Sequence, residues 1–234
     1  MQLFYDPDVQ RGPHALRAEE ARHAFQVLRK RVGDELNLVD GKGGWYKATV
    51  ASISKRECLI DVTLLRREAA RASYSTTLLV APTKNIDRFE WILEKTTEIG
   101  IDFIQPILTQ HSERKNIRTD RLERVIESAM KQSLQAWLPA LGNLCSFAEA
   151  LQQSDPAGQK YLAYLGGQNT PQLHRTCRPG GHVTIAVGPE GGFSPAEAEL
   201  AVSADFNFVS LGPQRLRTET AAITAVHTIA QLNW

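Results

Sequence analysis

From Thr76 to the C-terminal end, short apolar runs alternate with segments of helical periodicity, and this alternation restricts the fold more than any other feature. Residues 77–81, 103–108, 161–165, 183–187 and 206–211 read as strands: short apolar runs bounded by turn residues. Between them, 86–99 is an amphipathic helix stopped by Gly100. Residues 121–135 place Leu122, Val125, Ile126, Ala129 and Met130 on one helical face. Near-continuous apolar strands need cover on both sides, and crossover helices supply it. The expected fold class is therefore α/β, with a mostly parallel sheet between helices.

Two loops in this region carry chemistry. Gly188-Pro189-Glu190-Gly191-Gly192 follows the run ending at Val187 and leads into Ser194-Pro195-Ala196-Glu197. That tetrapeptide is a capping box with proline at the first helical position. Leu211-Gly212-Pro213-Gln214-Arg215-Leu216-Arg217-Thr218-Glu219-Thr220 follows the last strand and enters a helix with Ala222, Val226, Ile229 and Ala230 at helical spacing. Ligands in α/β sheets sit at the carboxyl ends of strands, and glycine lets a backbone approach them closely. Neither loop is a Walker A or dinucleotide fingerprint, and each also reads as a plain turn. Thr218 or Thr220 suits a helix cap, and Glu219 suits the positive helix end. Arg215 and Arg217 stand on the wrong side of that dipole, which fits an anion or a carbonyl-rich base as well as solvated surface charge.

The first seventy residues differ in texture. Residues 35–40, 45–53 and 58–65 read as strands around a Gly41-Lys42-Gly43-Gly44 turn, which suggests a small β-barrel, and 18–30 has helical periodicity. A charged connector at 66–73 marks the expected division into domains 1–72 and 73–234. The formal net charge is only +1, so a nucleic acid has to be held by local patches. Candidates are Arg29-Lys30-Arg31, the stretch from Glu113 to Arg118, and the helix stripe with Arg121, Arg124, Ser128, Lys131 and Gln135. Solvated helix faces look the same. Three dispersed cysteines fit a reducing compartment, and six histidines lack metal-ligand spacing, so no metal is expected. No signal segment or membrane span is read, which makes a cytoplasmic location the default.

In order along nearly the whole chain, these residues resemble the RsmE-type 16S ribosomal RNA (uracil-N3)-methyltransferases of the SPOUT class. His23, Val27-Leu28-Arg29, Gly33-Asp34 and Asp40-Gly41 are similar to the N-terminal, PUA-like RNA-binding pattern. Lys84, Asp87-Arg88, Glu90, Lys95 and Glu98-Ile99-Gly100 follow, then Glu113-Arg114, Gln132-Ser133, Pro139 and the two loops. Gln135, Trp137, Gln214 and Lys131 depart from the family's usual residues, the first three where arginine is common and the last where an acid is common. The resemblance implies an N-terminal PUA-like β-barrel and a C-terminal SPOUT domain with a deep trefoil knot. It also implies a homodimer with S-adenosylmethionine beside the partner subunit, and a small-ribosomal-subunit substrate. By position, the cofactor residues are Leu165 and Gly166, then Val187, Gly188, Pro189, Glu190, Gly191 and Gly192, then Leu211, Gly212, Leu216, Arg217 and Thr218. RNA contacts fall on His23, Arg29, Lys84, Arg88, Arg114 and Lys115, and on Arg121, Arg124, Lys131 and Gln132. By default His23 also reads as a packed or capping histidine.

The implied reaction makes 3-methyluridine. Uracil N3 attacks a methyl group well only after losing its proton, so the protein has to align the reactants and favour the anion. Arg217 is the candidate for stabilising charge on a uracil oxygen. Glu219 is either a positioning or capping residue or the base that takes the N3 proton; a helix N-terminus weakens a carboxylate as a base. A SPOUT enzyme acting on another RNA such as tRNA, and a non-catalytic RNA-binding protein, are the alternatives.

Overall fold

The computed structural model describes residues 2–54, 57–69, 72–164 and 170–234. The chain divides into two units, Met1–Arg71 with Glu127–Leu138, and Ala72–Ile126 with Pro139–Trp234. In the first unit, β1 (Leu3–Tyr5), β2 (Gly12–Ala15), α1 (Ala18–Arg22), β3 (Glu35–Val39), β4 (Gly44–Ile53) and β5 (Cys58–Arg67) follow one another. The strands form one sheet in the order β1-β3-β4-β5-β2, antiparallel except for the β1–β3 pair. Alternation along β4 and β5 buries Tyr46, Ala48, Val50, Ile60 and Val62 and leaves Lys47, Thr49 and Asp61 to solvent. Register shifts after Trp45 and Val50 interrupt the β4–β5 ladder, as bulges that bend a sheet do. The helical stretch expected over 18–30 is two pieces: α1, then a π-helical turn His23–Val27, closed by Arg29 at φ 55.

The segment Glu127–Leu138 belongs to this unit although it lies beyond the 72/73 division expected from the sequence. Met130 and Ala136 pack with Leu3, Tyr5 and Val39. The Gly41–Gly44 turn holds the segment's end: Gly43 N–H donates to Ala136 O (2.9 Å) and Leu138 N–H to Gly41 O (3.0 Å). A Cβ on Gly43 would stand 2.5 Å from Trp137 Cζ2, and its φ of +83° is left-handed, so only glycine fits. The indoles of Trp45 and Trp137 donate to the two oxygens of Glu68 at 2.7 and 2.9 Å.

The second unit opens with β6 (Tyr74–Val80), α2 (Ile86–Ile99) and β7 (Phe103–Leu108); α3 (Thr119–Gln132) then runs from it into the first unit's segment. The rest is β8 (Ala140–Leu141), β9 (Cys145–Ser146), α4 (Phe147–Gln152), β10 (Gln159–Ala163), α5 (Leu173–Thr176), β11 (Gly181–Val187), α6 (Pro195–Ser203), β12 (Asn207–Val209) and α7 (Thr218–Gln231). Its strand order is β12-β10-β11-β6-β7-β8, with β9 also on β7, and every pairing is parallel. Leu79, Leu162 and Ala186 point to one face, where α4 and α6 cover them. Leu78 and Ile185, one step along, are fully buried on the other face, and α7 packs against β6, β11 and α2. Burial on both faces explains the unbroken apolar runs. Helix α2 starts with Asn85 accepting from Asp87 N–H and ends at Gly100 with φ +109°. Both hydrogen bonds of the Ser194–Glu197 capping box are present.

Candidate functional site

In the sheet, β10 lies between β12 and β11, so the carboxyl ends of these three strands and the described residues next to them lie side by side. They enclose a cavity of about 400 Å³, within the usual range for a small-molecule site. One wall is Val187 with Gly188, Pro189, Glu190, Gly191 and Gly192, and the facing wall is Leu211, Gly212, Leu216 and Thr218. Leu165 and Gly166, also expected here, lie outside the described residues. Arg217 is not among the lining residues; it occupies the N-cap position of α7 with an exposed side chain. The two walls are tied together. Thr218 Oγ1 donates to Gly188 O (3.1 Å), and Arg215 Nη2 to Glu190 O (3.4 Å). Neither threonine caps α7 through its side chain, because Thr218 turns its hydroxyl to the opposite loop.

Glu219, in the first turn of α7, is buried, and its Oε1 lies 3.7 Å from Arg88 Nη1. Its Oε2 is buried without a hydrogen-bond partner among the described residues. Arg88, expected to contact RNA, is thus half-exposed beside the carboxylate at the start of α7. The lining chemistry is mostly apolar, with one carboxylate (Glu190) and one guanidinium (Arg215) at the mouth. An apolar slot suits a flat heteroaromatic ring, and a carboxylate and a guanidinium on the same lining suit a ligand that carries both charges.

The family model for an RNA methyltransferase domain matches residues 70–230, and the one for an RNA methyltransferase PUA domain matches residues 16–63. The chain belongs to the RsmE-type RNA methyltransferases. It is 30% identical over 225 residues to the ribosomal RNA small subunit methyltransferase E of Synechocystis, covering 93% of this chain and 72% of that one. A structure from Porphyromonas gingivalis, described as a "probable rRNA-methyltransferase", shares 38% identity at TM-score 0.90, over 100% of this chain and 98% of that one. The ribosomal RNA small subunit methyltransferase E of Neisseria gonorrhoeae, solved bound to S-adenosyl methionine, shares 27% identity at TM-score 0.86, over 100% and 98%.

In this RsmE-type chain the cations expected at RNA fall into two groups. Arg121 makes two contacts with Glu90, Nε to Oε1 at 2.5 Å and Nη2 to Oε2 at 2.9 Å. Arg124 lies 3.9 Å from Asp120, and Lys84 Nζ lies 2.8 Å from Glu113. Lys131 is held between Glu20 (2.5 Å) and Glu127 (3.2 Å) in the first unit. Arg114 turns its guanidinium to backbone carbonyls. Arg29, Lys115 and the neutral Gln132 are exposed, as are Lys84, Arg121 and Arg124 despite their acidic partners. His23 packs edge-on to Phe4 and meets Gln2 at 2.9 Å, in keeping with its default reading as a packed histidine.

Several lining residues escape a reading of the sequence. Ala221 follows Thr218 at helical spacing, and Phe193 directly follows the glycine loop, so both carried a local signal. Tyr164 and Val209 enter only through the three-dimensional adjacency of β10 and β12. His111 supports the glycine loop from the loop after β7, a contact that no local pattern announces.

Proposed function

We propose that this chain methylates N3 of a specific uridine in the 16S ribosomal RNA of the small subunit, with S-adenosylmethionine as donor. The observation that carries the reading is the cavity where the two expected loops meet, in a chain that aligns end to end with a relative solved with that cofactor. Bound there, the cofactor supplies an electrophilic methyl group on a sulfonium. The lining residues of both loops hold it, with Leu165 and Gly166 completing the set. Arg217, exposed at the first turn of α7 beside this cavity wall, makes no ion pair among the described residues and is open to a uracil oxygen. It stabilises the N3 anion by charge.

Glu219 makes no capping hydrogen bond and instead faces Arg88, with one oxygen unpartnered. It positions Arg88 and the first turn of α7. Glu219→Gln tests this: methylation close to normal with an unchanged pH profile fits positioning, and a large loss of rate together with loss of the profile's acidic limb assigns it the proton. RNA is held by Arg29, Lys115 and Gln132, by the exposed Lys84, Arg121 and Arg124 and by the half-exposed Arg88, with His23, Arg114 and Lys131 shaping the elements beside them.

The proposal includes a cytoplasmic homodimer with its active site near the subunit interface, and a trefoil knot. Ser210 N–H donates to Pro171 O (2.8 Å) and Ser210 O accepts from Leu173 N–H (3.0 Å). The chain leaving β12 is therefore bridged in parallel to the segment 171–173 that follows β10. Nucleoside mass spectrometry after incubation of 16S RNA or small subunits with protein and cofactor is the decisive test. Appearance of 3-methyluridine is the expected result; methylation of tRNA alone overturns the substrate.

A further inference from the structure

We propose that Arg114 is a positioning residue for the cofactor pocket: it clamps the turn at Thr83–Lys84 and thereby fixes Glu190 at the pocket mouth. This rests on reading the cavity as the cofactor site. Arg114 Nε donates to Thr83 O at 3.1 Å and its Nη2 to Lys84 O at 2.7 Å. Lys84 N–H in turn donates to Glu190 Oε1 at 3.1 Å. Glu190 lines the cavity, and its carbonyl accepts from Arg215. An unbroken run of hydrogen bonds thus leads from the loop after β7, through the turn between β6 and α2, to both walls of the pocket.

Lys84 is engaged at all three of its polar groups. Its N–H goes to Glu190, its carbonyl to Arg114, and its ammonium to Glu113, the residue before Arg114. The hydrogen bond to Glu113 holds the ammonium's pKa above the usual lysine value. Two adjacent residues of one loop therefore grip a single residue of another. Thr83, inside the clamp, is fully buried and donates its hydroxyl to Asn85 O at 2.7 Å, where α2 begins. The same β7 loop touches the pocket a second time. His111 Nδ1 meets Gly192 O at 3.1 Å, and a Cβ on Gly191 would lie 2.9 Å from His111 Cβ.

A planar guanidinium presents several fixed donors and reaches two successive carbonyls at once, whereas an ammonium is a point donor on a flexible stem. Arginine at 114 therefore has a geometric reason apart from charge. The two carbonyls occupy Nε and Nη2, the donors a bidentate, side-on phosphate contact would use.

The test is titration calorimetry of S-adenosylmethionine on the full chain without RNA, for wild type, Arg114→Ala, Arg114→Lys, Glu190→Ala and the Arg114→Ala/Glu190→Ala double variant. Arg114→Ala and Arg114→Lys are expected to weaken cofactor binding about tenfold or more, as small displacements of a site's supports do. The double variant should be little worse than either single one, because both break the same chain of contacts. In turnover, Arg114→Lys should raise KM for the cofactor while kcat at saturating cofactor stays within a few-fold. The slope of RNA affinity against salt should not move, because no phosphate contact is lost. Unchanged cofactor affinity in Arg114→Lys together with a shallower salt slope overturns the proposal and returns Arg114 to the RNA. Should wild type itself bind no cofactor, the functional reading fails along with this one; wild-type binding with unaffected variants sinks this one alone.

Discussion

The two units of the chain treat their polar groups in opposite ways. Around the cavity, the walls are glycines, apolar side chains and backbone; Arg217 is exposed and Glu219 keeps an unpartnered oxygen. In the first unit the buried Asp40 is closed in on both oxygens by the protein itself. Asp40 Oδ1 accepts the N–H groups of Lys42 (2.7 Å) and Gly44 (2.8 Å), and its Oδ2 accepts from Tyr46 (3.0 Å) and Arg67 (2.8 Å). Glu20 takes the ammonium of Lys131 on Oε1 while its Oε2 is buried without a hydrogen-bond partner among the described residues; Lys131 also reaches Glu127, and Arg17 stands 3.7 Å from Glu127. A polar group surrounded by its own chain maintains shape, and one left open is available to a ligand. Substitutions in the two regions should therefore separate stability from binding.

The largest separation is expected at Lys131. Replacing it with methionine strands the buried Glu20 carboxylate, and breaking a buried pair in this way costs about 3–5 kcal/mol. Urea unfolding followed by fluorescence reads it well, because Trp45 and Trp137 both belong to the first unit. Cofactor affinity of the folded protein should stay at the wild-type value. If stability is untouched, the cluster is not the support described here, and Lys131 is a surface contact after all.

Gly191→Ala should do the reverse. The added Cβ falls 2.9 Å from His111 Cβ, which sits too near its own backbone to swing clear, so the loop itself must move. We expect cofactor affinity to fall about tenfold, or roughly 1.4 kcal/mol, with an unfolding midpoint close to wild type. Calorimetry and urea titration of one preparation decide it. A lower midpoint with intact affinity would mean that the glycine loop serves folding and not the ligand.

What was legible in the sequence follows from how local each signal is. Helix α2 and strand β7 are read to the residue because their stops, Gly100 and the flanking turns, are written next to them. The capping box at Ser194 is equally local. The strands β1, β2, β8 and β9 have four residues or fewer, too short for a period to declare itself. Membership of Glu127–Leu138 in the first unit hangs on hydrogen bonds to a turn some ninety residues earlier, which no window on the sequence contains. At the site, ten of the eleven described residues that the family resemblance assigned to the cofactor line the cavity; the two loops themselves were visible locally as glycine-bearing turns at strand ends. The charged residues fared differently. A sequence lists cations but not their partners, so nothing in it shows that Arg114 meets Thr83 and Lys84 or that Lys131 meets Glu20.

Asp40 gives the sharpest control on stability, because pH removes its charge without a substitution. Burial by itself raises a carboxyl's pKa; here the N–H donors of Gly44 and Lys42, with Arg67 and Tyr46, outweigh it and hold Asp40 below its ordinary value of 3.8. A group whose folded pKa is depressed binds its proton less readily in the native state than in the unfolded one. Its contribution is therefore complete above the ordinary carboxylate value and disappears as pH falls through the lower, folded value. Asp40→Asn keeps the size of the side chain but turns one acceptor into a donor facing donors, and removes the charge that Arg67 meets. Losing charged hydrogen bonds of this kind costs about 1.5–3 kcal/mol near neutral pH. The gap between wild type and variant, read from urea midpoints, should stay constant between about pH 7 and pH 5 and close below about pH 4. A gap that persists undiminished in acid would mean that the variant is destabilised by misfit within the turn and not by loss of the carboxylate's charge.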